Sequence, residues 1–169
     1  MELTEKELET KTYRYFIIYL LKELPVGATF SPSDLHITIL PWFALETDEK
    51  AFTDWFYKHF DSFNAFEATI GEPKMYGPKH DVPVNIVEPK AKFMGLHKLA
   101  LSWFGAIGAR WAERDPYVGN DYVPHIAQRR GFVLTEGDTM HISHIVLVKA
   151  KRQEDHIRYV AAKAQLNEK

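Results

Sequence analysis

Hydrophobic positions near the start of the chain predict two strands. Apolar and β-branched residues crowd positions 13–21, as is typical of a buried strand. A loop containing Gly and Pro follows at 25–34 and leads into a second strand through His36. Pro41 is expected to end this strand, because proline cannot donate a hydrogen bond to a neighbouring strand.

Helical spacing of apolar residues begins shortly after Pro41. Thr47 is the predicted N-cap, and Asp48 and Glu49 lie in the first turn, where carboxylates interact favourably with the helix dipole. A second helix is predicted over residues 92–111. The buried face of the first helix is expected to consist of Phe52, Trp55, Phe56, His59 and Phe60.

Strand patterns separate and follow these helices. Residues 66–70 and 82–87 predict two strands joined around a Gly- and Pro-containing segment. A strand through His125 and a last strand at 140–148 come later in the chain. Residues 153–165 are predicted to close the chain as an amphipathic helix, with an inner face of Ile157, Val160 and Ala161.

The predicted order of elements is β-β-α-β-β-α-β-β-α. This order favours an α+β fold of two similar lobes, each a small sheet backed by a helix, with a cleft between them. No change in composition marks a second domain, so residues 1–169 are expected to form a single bilobal domain.

Composition narrows the class of protein. The hydrophobic fraction of 46% and the aromatic fraction of 14% are typical of an ordered globular chain. A net charge of −2 argues against a protein that coats DNA or RNA, because such proteins are usually basic. The absence of cysteine excludes disulfides, thiol catalysis and Cys-ligated zinc. The charged first residues lack the apolar stretch of a signal peptide, so a cytoplasmic protein is expected.

Two histidines stand in matching strand contexts. His36 and Thr38 are two residues apart and therefore share one face of a strand, while the residues between and around them point into the core. An imidazole beside a hydroxyl places a proton-transfer group beside a hydrogen-bond donor, which suits an anionic phosphate. His125 is expected to lie in a second such strand, so that one histidine serves as a base and the other as an acid.

The contexts of these histidines resemble the two motifs of the 2H phosphoesterase superfamily, which includes the bacterial RNA 2′,5′ ligases and cyclic phosphodiesterases. The matching segments are His36-Ile37-Thr38-Ile39-Leu40 and Tyr122-Val123-Pro124-His125-Ile126. The resemblance implies a bilobal α+β fold with two antiparallel sheets flanked by helices and a central cleft. It also implies catalysis by His36, Thr38 and His125 without a metal or any other cofactor.

The second motif departs from the family pattern. The family has Thr or Ser two residues after the second histidine, whereas this chain has Ala127. One hydroxyl that would bind phosphate is therefore missing, unless Gln128, Arg129 or Arg130 replaces it. Arg130 matches a basic position that often follows this motif in the family, and Gln128 and Arg130 are the predicted substrate-binding residues.

His141-Ile142-Ser143 is a rival for the second motif, because it matches His-x-Ser literally. The context of His125 is favoured, since the rival would leave no closing strand after the motif. His141 and His144 do not predict a metal site, because strand residues three apart face opposite sides. Candidates for stacking nucleobases are Trp42, Phe43, Tyr76 and Trp111.

The resemblance therefore predicts a metal-independent phosphodiesterase. Its substrate would be a nucleotide or RNA terminus with a 2′,3′-cyclic phosphate or a 2′-5′ linkage, and its partners would include neither a membrane nor double-stranded DNA. A monomer is expected. Two other hypotheses stay open: a nucleotide- or RNA-binding relative in which Ala127 marks lost chemistry, and a structural protein in which the paired histidines occur by chance.

Overall fold

The computed structural model describes residues 12–45, 48–104, 109–111, 118–129, 134–151, 154 and 156–168. Strands and helices follow one another along these residues, with a 3-10 turn at Gly119–Asp121. Within them, no helix is both long and apolar enough to cross a membrane. The elements are β1 (Tyr13–Leu20), β2 (Thr29–Phe30), β3 (His36–Leu45), α1 (Glu49–Phe60), β4 (Phe66–Tyr76), β5 (Val82–Glu88), α2 (Lys90–Phe104), β6 (Ala109–Trp111), β7 (His125–Ala127), β8 (Thr139–Ile142), β9 (His144–Lys151) and β10 (Arg158–Gln165).

The strands pair antiparallel in the order β2-β10-β9-β1-β3-β7-β5-β4-β8, and β6 pairs with β3. The predicted α+β class is therefore confirmed. The prediction of two separate sheets is not confirmed, because β3 pairs with β1 on one side and with β7 on the other. That pairing connects two groups of strands that would otherwise form separate sheets.

The two faces of the sheet bury different clusters. Consecutive residues of β1 point to opposite faces, so Ile17 belongs to the larger core and Ile18 to the smaller one. The larger core packs against both helices, with Phe56 of α1 and Phe93 of α2 fully buried. Burying each such side chain stabilises the fold by about 1.5–3 kcal/mol. The smaller cluster contains Phe16, Ile18, Leu20, Phe30, Val146, Val148 and Val160.

Pro41 does not end β3, contrary to the sequence prediction. Ile17 of β1 pairs with Leu40, whereas Tyr15 pairs with Phe43, so β3 contains one extra residue between these pairs. Such a bulge leaves one residue without a ladder partner, which is where a strand tolerates proline. The strand therefore continues past Pro41 and carries Trp42 onto the cleft side of the sheet.

The predicted closing helix at 153–165 is wrong, because β10 occupies residues Arg158–Gln165. Val160 pairs with Val148 and Ala162 with Leu147, which makes Ala161 the extra residue of a second bulge. The bulge turns Val160 towards the smaller cluster and Ala162 towards the larger core, although the two are only two residues apart. Because of the bulge, the apolar residues of this segment do not alternate strictly with polar ones. Their spacing in the sequence therefore resembles that of a helix.

Other boundaries differ from the predictions in smaller ways. Helix α1 has Asp48 as its N-cap, with its carboxylate accepting from the Ala51 amide at 2.8 Å, and the predicted cap Thr47 lies outside the described residues. The helix expected over 92–111 ends at Phe104. The strand expected at 140–148 is two strands, β8 and β9, interrupted at Ser143.

A charged clamp holds the C-terminal residues beside β8. His141 hydrogen-bonds Glu67 through Nδ1 and Glu168 through Nε2, at 2.8 Å in the second case. Because an ionised carboxylate only accepts, both ring nitrogens must carry protons and the ring is an imidazolium. The hydrogen bonds to Glu168, and next to Glu67, raise the pKa of His141 above its ordinary value of 6.5.

This clamp predicts a pH-dependent difference in stability between wild type and His141→Gln. The folded state holds the His141 proton more tightly, so the stabilisation is fully present just below pH 6.5 and disappears as pH rises through the raised pKa. Thermal unfolding of both proteins should show a lower Tm for the variant near pH 6 and matching values at alkaline pH. The exposed His156 supplies the matched control, His156→Gln. A Tm difference that stays constant from pH 6 to alkaline pH would contradict the clamp.

Candidate active site

One cleft of about 340 Å³ opens on the face of the sheet that carries the smaller cluster. Residues from β1, β3, β7 and β10 line one part of it, and residues from β4 and β5 line another. Its polar and charged lining includes His36, Thr38, His125, Arg129 and Arg158, with Ala127 between them. The structure therefore brings together the three residues predicted to be catalytic, whose roles stay predictions.

The register of β3 against β7 explains this convergence. Ile37 pairs with Ile126, and both are fully buried on the opposite face. Extending the antiparallel register by one residue each way sets His36 opposite Ala127 and Thr38 opposite His125. Directly opposite side chains on one face have Cβ atoms about 4.5–5.5 Å apart. The two His-x-x segments thus form one compact group, with the histidines at its diagonal corners.

Each histidine is oriented by the carbonyl of the residue two positions before it. Nδ1 of His36 lies 3.0 Å from the Asp34 carbonyl oxygen, and Nδ1 of His125 lies 2.8 Å from that of Val123. A carbonyl oxygen only accepts, so Nδ1 carries the proton in both rings. The titrating proton is therefore gained and lost at Nε2, which fixes the same chemical role for that nitrogen in both residues.

Burial and nearby cations keep His36 neutral. Desolvation is the main cause that lowers the pKa of His36 from 6.5 to about 4, and the charges of Arg158, Arg129 and His125 act in the same direction. The hydrogen bond to the Asp34 carbonyl opposes this shift. At neutral pH, His36 is thus a neutral proton acceptor in a cleft that also contains Arg129 and Arg158.

A buried histidine supports the site from behind. His97 of α2 is fully buried, donates from Nδ1 to the Ile39 carbonyl at 2.7 Å, and accepts at Nε2 from the Gly119 amide at 2.8 Å. Its ring stacks on Tyr122 at 4.1 Å, and the Tyr122 hydroxyl donates to the Thr38 carbonyl at 2.7 Å. This network joins β3 to the segment before His125. Sequence reasoning missed it, because nothing local marks a partner so distant in the chain.

An aromatic and cationic group forms one wall of the cleft. Phe16 and Trp42 stack with ring centroids 4.0 Å apart, and Phe16 also meets the His36 ring edge-on at 5.8 Å. The guanidinium carbon of Arg158 lies 5.1 Å from the Phe16 centroid and 5.3 Å from the Trp42 centroid. Sequence reasoning missed Arg158, because it fell in a predicted helix. In β10, Arg158 and Val160 are two residues apart and therefore share a face of the strand. A strand assignment for this segment could have identified Arg158 as a residue on the cleft face.

The candidate base-stacking residues separate in the structure. Trp42 and Tyr76 line the cleft, and the Tyr76 ring approaches His125 edge-on at 5.1 Å. Phe43 is fully buried in the larger core, so the prediction that it stacks a base is wrong. The side chain of Trp111 lies outside the described residues.

The two predicted substrate-binding residues are not brought to the cleft by any described contact. Gln128 directly follows β7 and is not among the residues that line the cleft, and its amide donates to the Asn85 side chain at 2.9 Å. Its role in binding substrate stays a prediction. Arg130 lies outside the described residues. Arg129 lines the cleft, and its Nε donates to the Pro32 carbonyl at 3.3 Å.

The rival second motif does not reach the cleft. His141 is exposed and bonded to Glu67 and Glu168, and the Ser143 hydroxyl lies 3.2 Å from the His144 ring. Neither His141 nor Ser143 lines the cavity that contains His36. Across the described part of the chain, no group of three or more His, Asp or Glu side chains is arranged to hold a metal ion.

Solved structures share this fold. No protein-family model and no curated protein matches the chain in sequence. Escherichia coli LigT bound to phosphate is 12% identical, with 94% of this chain and 99% of LigT covered at a TM-score of 0.61. TT0787 of Thermus thermophilus is 17% identical, with 92% of this chain and 99% of TT0787 covered at a TM-score of 0.59. A phosphoesterase is 14% identical, with 93% of this chain and 99% of the phosphoesterase covered at a TM-score of 0.58. The chain therefore shares the fold of LigT, TT0787 and this phosphoesterase.

The pKa of His36 can be measured by NMR titration of its imidazole resonances, assigned by their loss in His36→Gln. We expect a midpoint near 4, because burial and the neighbouring cations disfavour the imidazolium. The folded state then binds fewer protons than the unfolded state between pH 4 and 6.5, so this contribution to stability falls as pH drops through that window. A midpoint at or above 6.5 would show that the ring is not held as described.

His97→Leu should destabilise the protein by roughly 2–5 kcal/mol, because two backbone groups lose their partner at about 1–3 kcal/mol each. Urea unfolding would measure this free energy. The same substitution at the exposed His156 is the matched control and should change stability by at most about 0.5 kcal/mol. Similar small losses in both variants would mean that the His97 network does not support the site.

Proposed function

We propose that this protein is a metal-independent phosphodiesterase that acts on a nucleotide or RNA terminus with a 2′,3′-cyclic phosphate or a 2′-5′ linkage. The observation that carries the proposal is the placement of His36 and His125 on one cleft, each with Nδ1 bonded to a backbone carbonyl. The shared orientation gives the cleft two Nε2 atoms that can exchange protons with one phosphate group.

His36 is the base in the hydrolytic direction, because it is neutral in the free protein. Its Nε2 takes a proton from water as the water oxygen forms a bond to phosphorus. The bond between phosphorus and the leaving ribose oxygen breaks, and Nε2 of His125 donates a proton to that oxygen. Each positioned acid or base typically accelerates such a reaction by about 10²–10⁴-fold. Microscopic reversibility exchanges the two roles in the ligation direction.

Thr38 on β3 and Arg129, two residues after the end of β7, are the proposed phosphate ligands. Thr38 is expected to lie opposite His125 on the cleft face, where a hydroxyl can donate to a non-bridging oxygen. Arg129 follows Ala127 by two residues, so it shares the same face and adds a positive charge. Positive charge within a water-poor cleft stabilises the additional negative charge of the transition state.

Nucleotides are the substrate class that the neighbouring structures favour. LigT of E. coli has been crystallised with 3′-AMP, NADP+, ATP and phosphate. In this chain, the apolar and aromatic walls at Trp42 and Tyr76 offer surfaces for a base or ribose on either side of the histidines. A cytoplasmic monomer that needs no cofactor and binds neither membranes nor double-stranded DNA completes the proposal.

The alternative is a nucleotide- or RNA-binding relative without catalysis. Ala127 favours it, because the cleft has a methyl group where the family pattern has a hydroxyl. The two functions differ in one measurable respect: both bind nucleotides, and only the enzyme releases a new phosphomonoester.

The test is kcat/KM for 2′,3′-cyclic AMP and for a 2′-5′-linked dinucleotide. We expect turnover by wild type and a loss of about 10²–10⁴-fold in His36→Ala and in His125→Ala. The double variant should be little worse than either single variant, because the two residues act as one unit.

EDTA should leave the rate unchanged, because only proton transfer and hydrogen bonds are used.

His141→Ala is the matched control, since it removes an exposed histidine on β8 and should keep full activity. Full activity in His125→Ala together with loss in His141→Ala would restore the rival motif. Inhibition by EDTA that a divalent ion reverses would indicate a metallohydrolase instead. Binding of both substrates without turnover by wild type would establish the alternative function.

A further inference from the structure

The cleft whose second motif offers no hydroxyl also contains a guanidinium from another strand. Ala127 is expected to face His36 across the β3–β7 pair, so a methyl group lies beside the base. Arg158, the first residue of β10, lines the same cleft although β9 separates β10 from β1 in the sheet. A long side chain is needed to reach the cleft from this strand, and arginine supplies it.

The Arg158 guanidinium rests on two aromatic rings. Its central carbon lies 5.1 Å from the Phe16 centroid and 5.3 Å from the Trp42 centroid. A guanidinium that packs against aromatic faces keeps its N–H donors directed outward in its own plane. Phe16 also contacts the His36 ring edge-on at 5.8 Å, so one side chain positions both the guanidinium and the base.

Arg158 and Arg129 both line the cleft, and the charge of Arg158 acts more strongly on His36. Among the charges that lower the pKa of His36, that of Arg158 is the largest, ahead of that of Arg129. Such an order is expected when Arg158 is the nearer cation, because the interaction falls with distance.

We propose that Arg158 binds the reacting phosphate and supplies the hydrogen bonds that Thr or Ser at position 127 would otherwise provide. The inference rests on the proposed function and adds a substrate-binding residue from β10. Two N–H groups of a planar guanidinium can donate to two non-bridging oxygens of one phosphate, whereas a hydroxyl donates only one hydrogen bond. Ala127 itself has no hydroxyl with which to bind that phosphate.

The experiment compares kcat/KM on 2′,3′-cyclic AMP for wild type, Arg158→Gln, Ala127→Thr and the double variant. We expect Arg158→Gln to lose about 10²–10³-fold, as when one oxyanion donor is removed. Ala127→Thr should recover about tenfold in the Arg158→Gln background and gain less in wild type, because the two groups bind the same phosphate. Arg158→Lys should keep only part of the activity, since an ammonium lacks the planar fork.

Arg14→Gln is the matched control for charge and stacking. The Arg14 guanidinium lies 4.1 Å from the same Trp42 ring, but Arg14 does not line the cleft. This variant should keep wild-type kcat/KM, with its folding checked by thermal unfolding. Equal losses in Arg14→Gln and Arg158→Gln, or no gain from Ala127→Thr in the Arg158→Gln background, would overturn the inference.

Calorimetric titration with inorganic phosphate separates this inference from the proposed function. If wild type turns over no substrate yet binds phosphate at least about tenfold more tightly than Arg158→Gln, a difference of about 1.4 kcal/mol, the proposed function fails and the phosphate site stands. Equal phosphate affinity in the two proteins, or no phosphate binding by wild type, would overturn the role of Arg158.

Discussion

The pairing of β3 with β7 is the contact on which the site depends. Ile37 and Ile126 are paired and fully buried, and this pair fixes which residues of each strand face the cleft. A register shift of one residue would turn His36 and Thr38 into the core and leave the cleft apolar. The same pairing joins the two groups of strands into one sheet, so the site and the architecture share one constraint.

Polar contacts behind the sheet reinforce that register. The Tyr122 hydroxyl bonds the Thr38 carbonyl, and His97 bonds the next carbonyl along β3, that of Ile39. Both side chains are almost completely buried, where an unpaired polar group would be costly. Burial also raises the pKa of Tyr122, so it stays a neutral hydroxyl donor. The segment before His125 is thereby tied to the strand that carries His36.

Local patterns in the sequence predicted the strand settings of His36 and His125, because period-two alternation and the neighbouring prolines are local signals. They did not predict β10, because the bulge at Ala161 moves Val160 and Ala162 to opposite faces and removes the alternation. Arg158 was missed for the same reason. The single sheet was also beyond local patterns, since it depends on β3 pairing with a strand more than eighty residues later.

Phosphate binding would reverse the electrostatic effect of the surroundings on His36. In the free protein, burial and two arginines disfavour its imidazolium. A bound phosphate brings negative charge against the same arginines and would raise the pKa of His36 towards the working range of a general base. In the proposed mechanism the cations would therefore have two effects: they would attract the anion, and they would delay protonation of His36 until the anion is present. A neutral ligand of the same shape would not produce this change, so charge, as well as fit, would select the substrate.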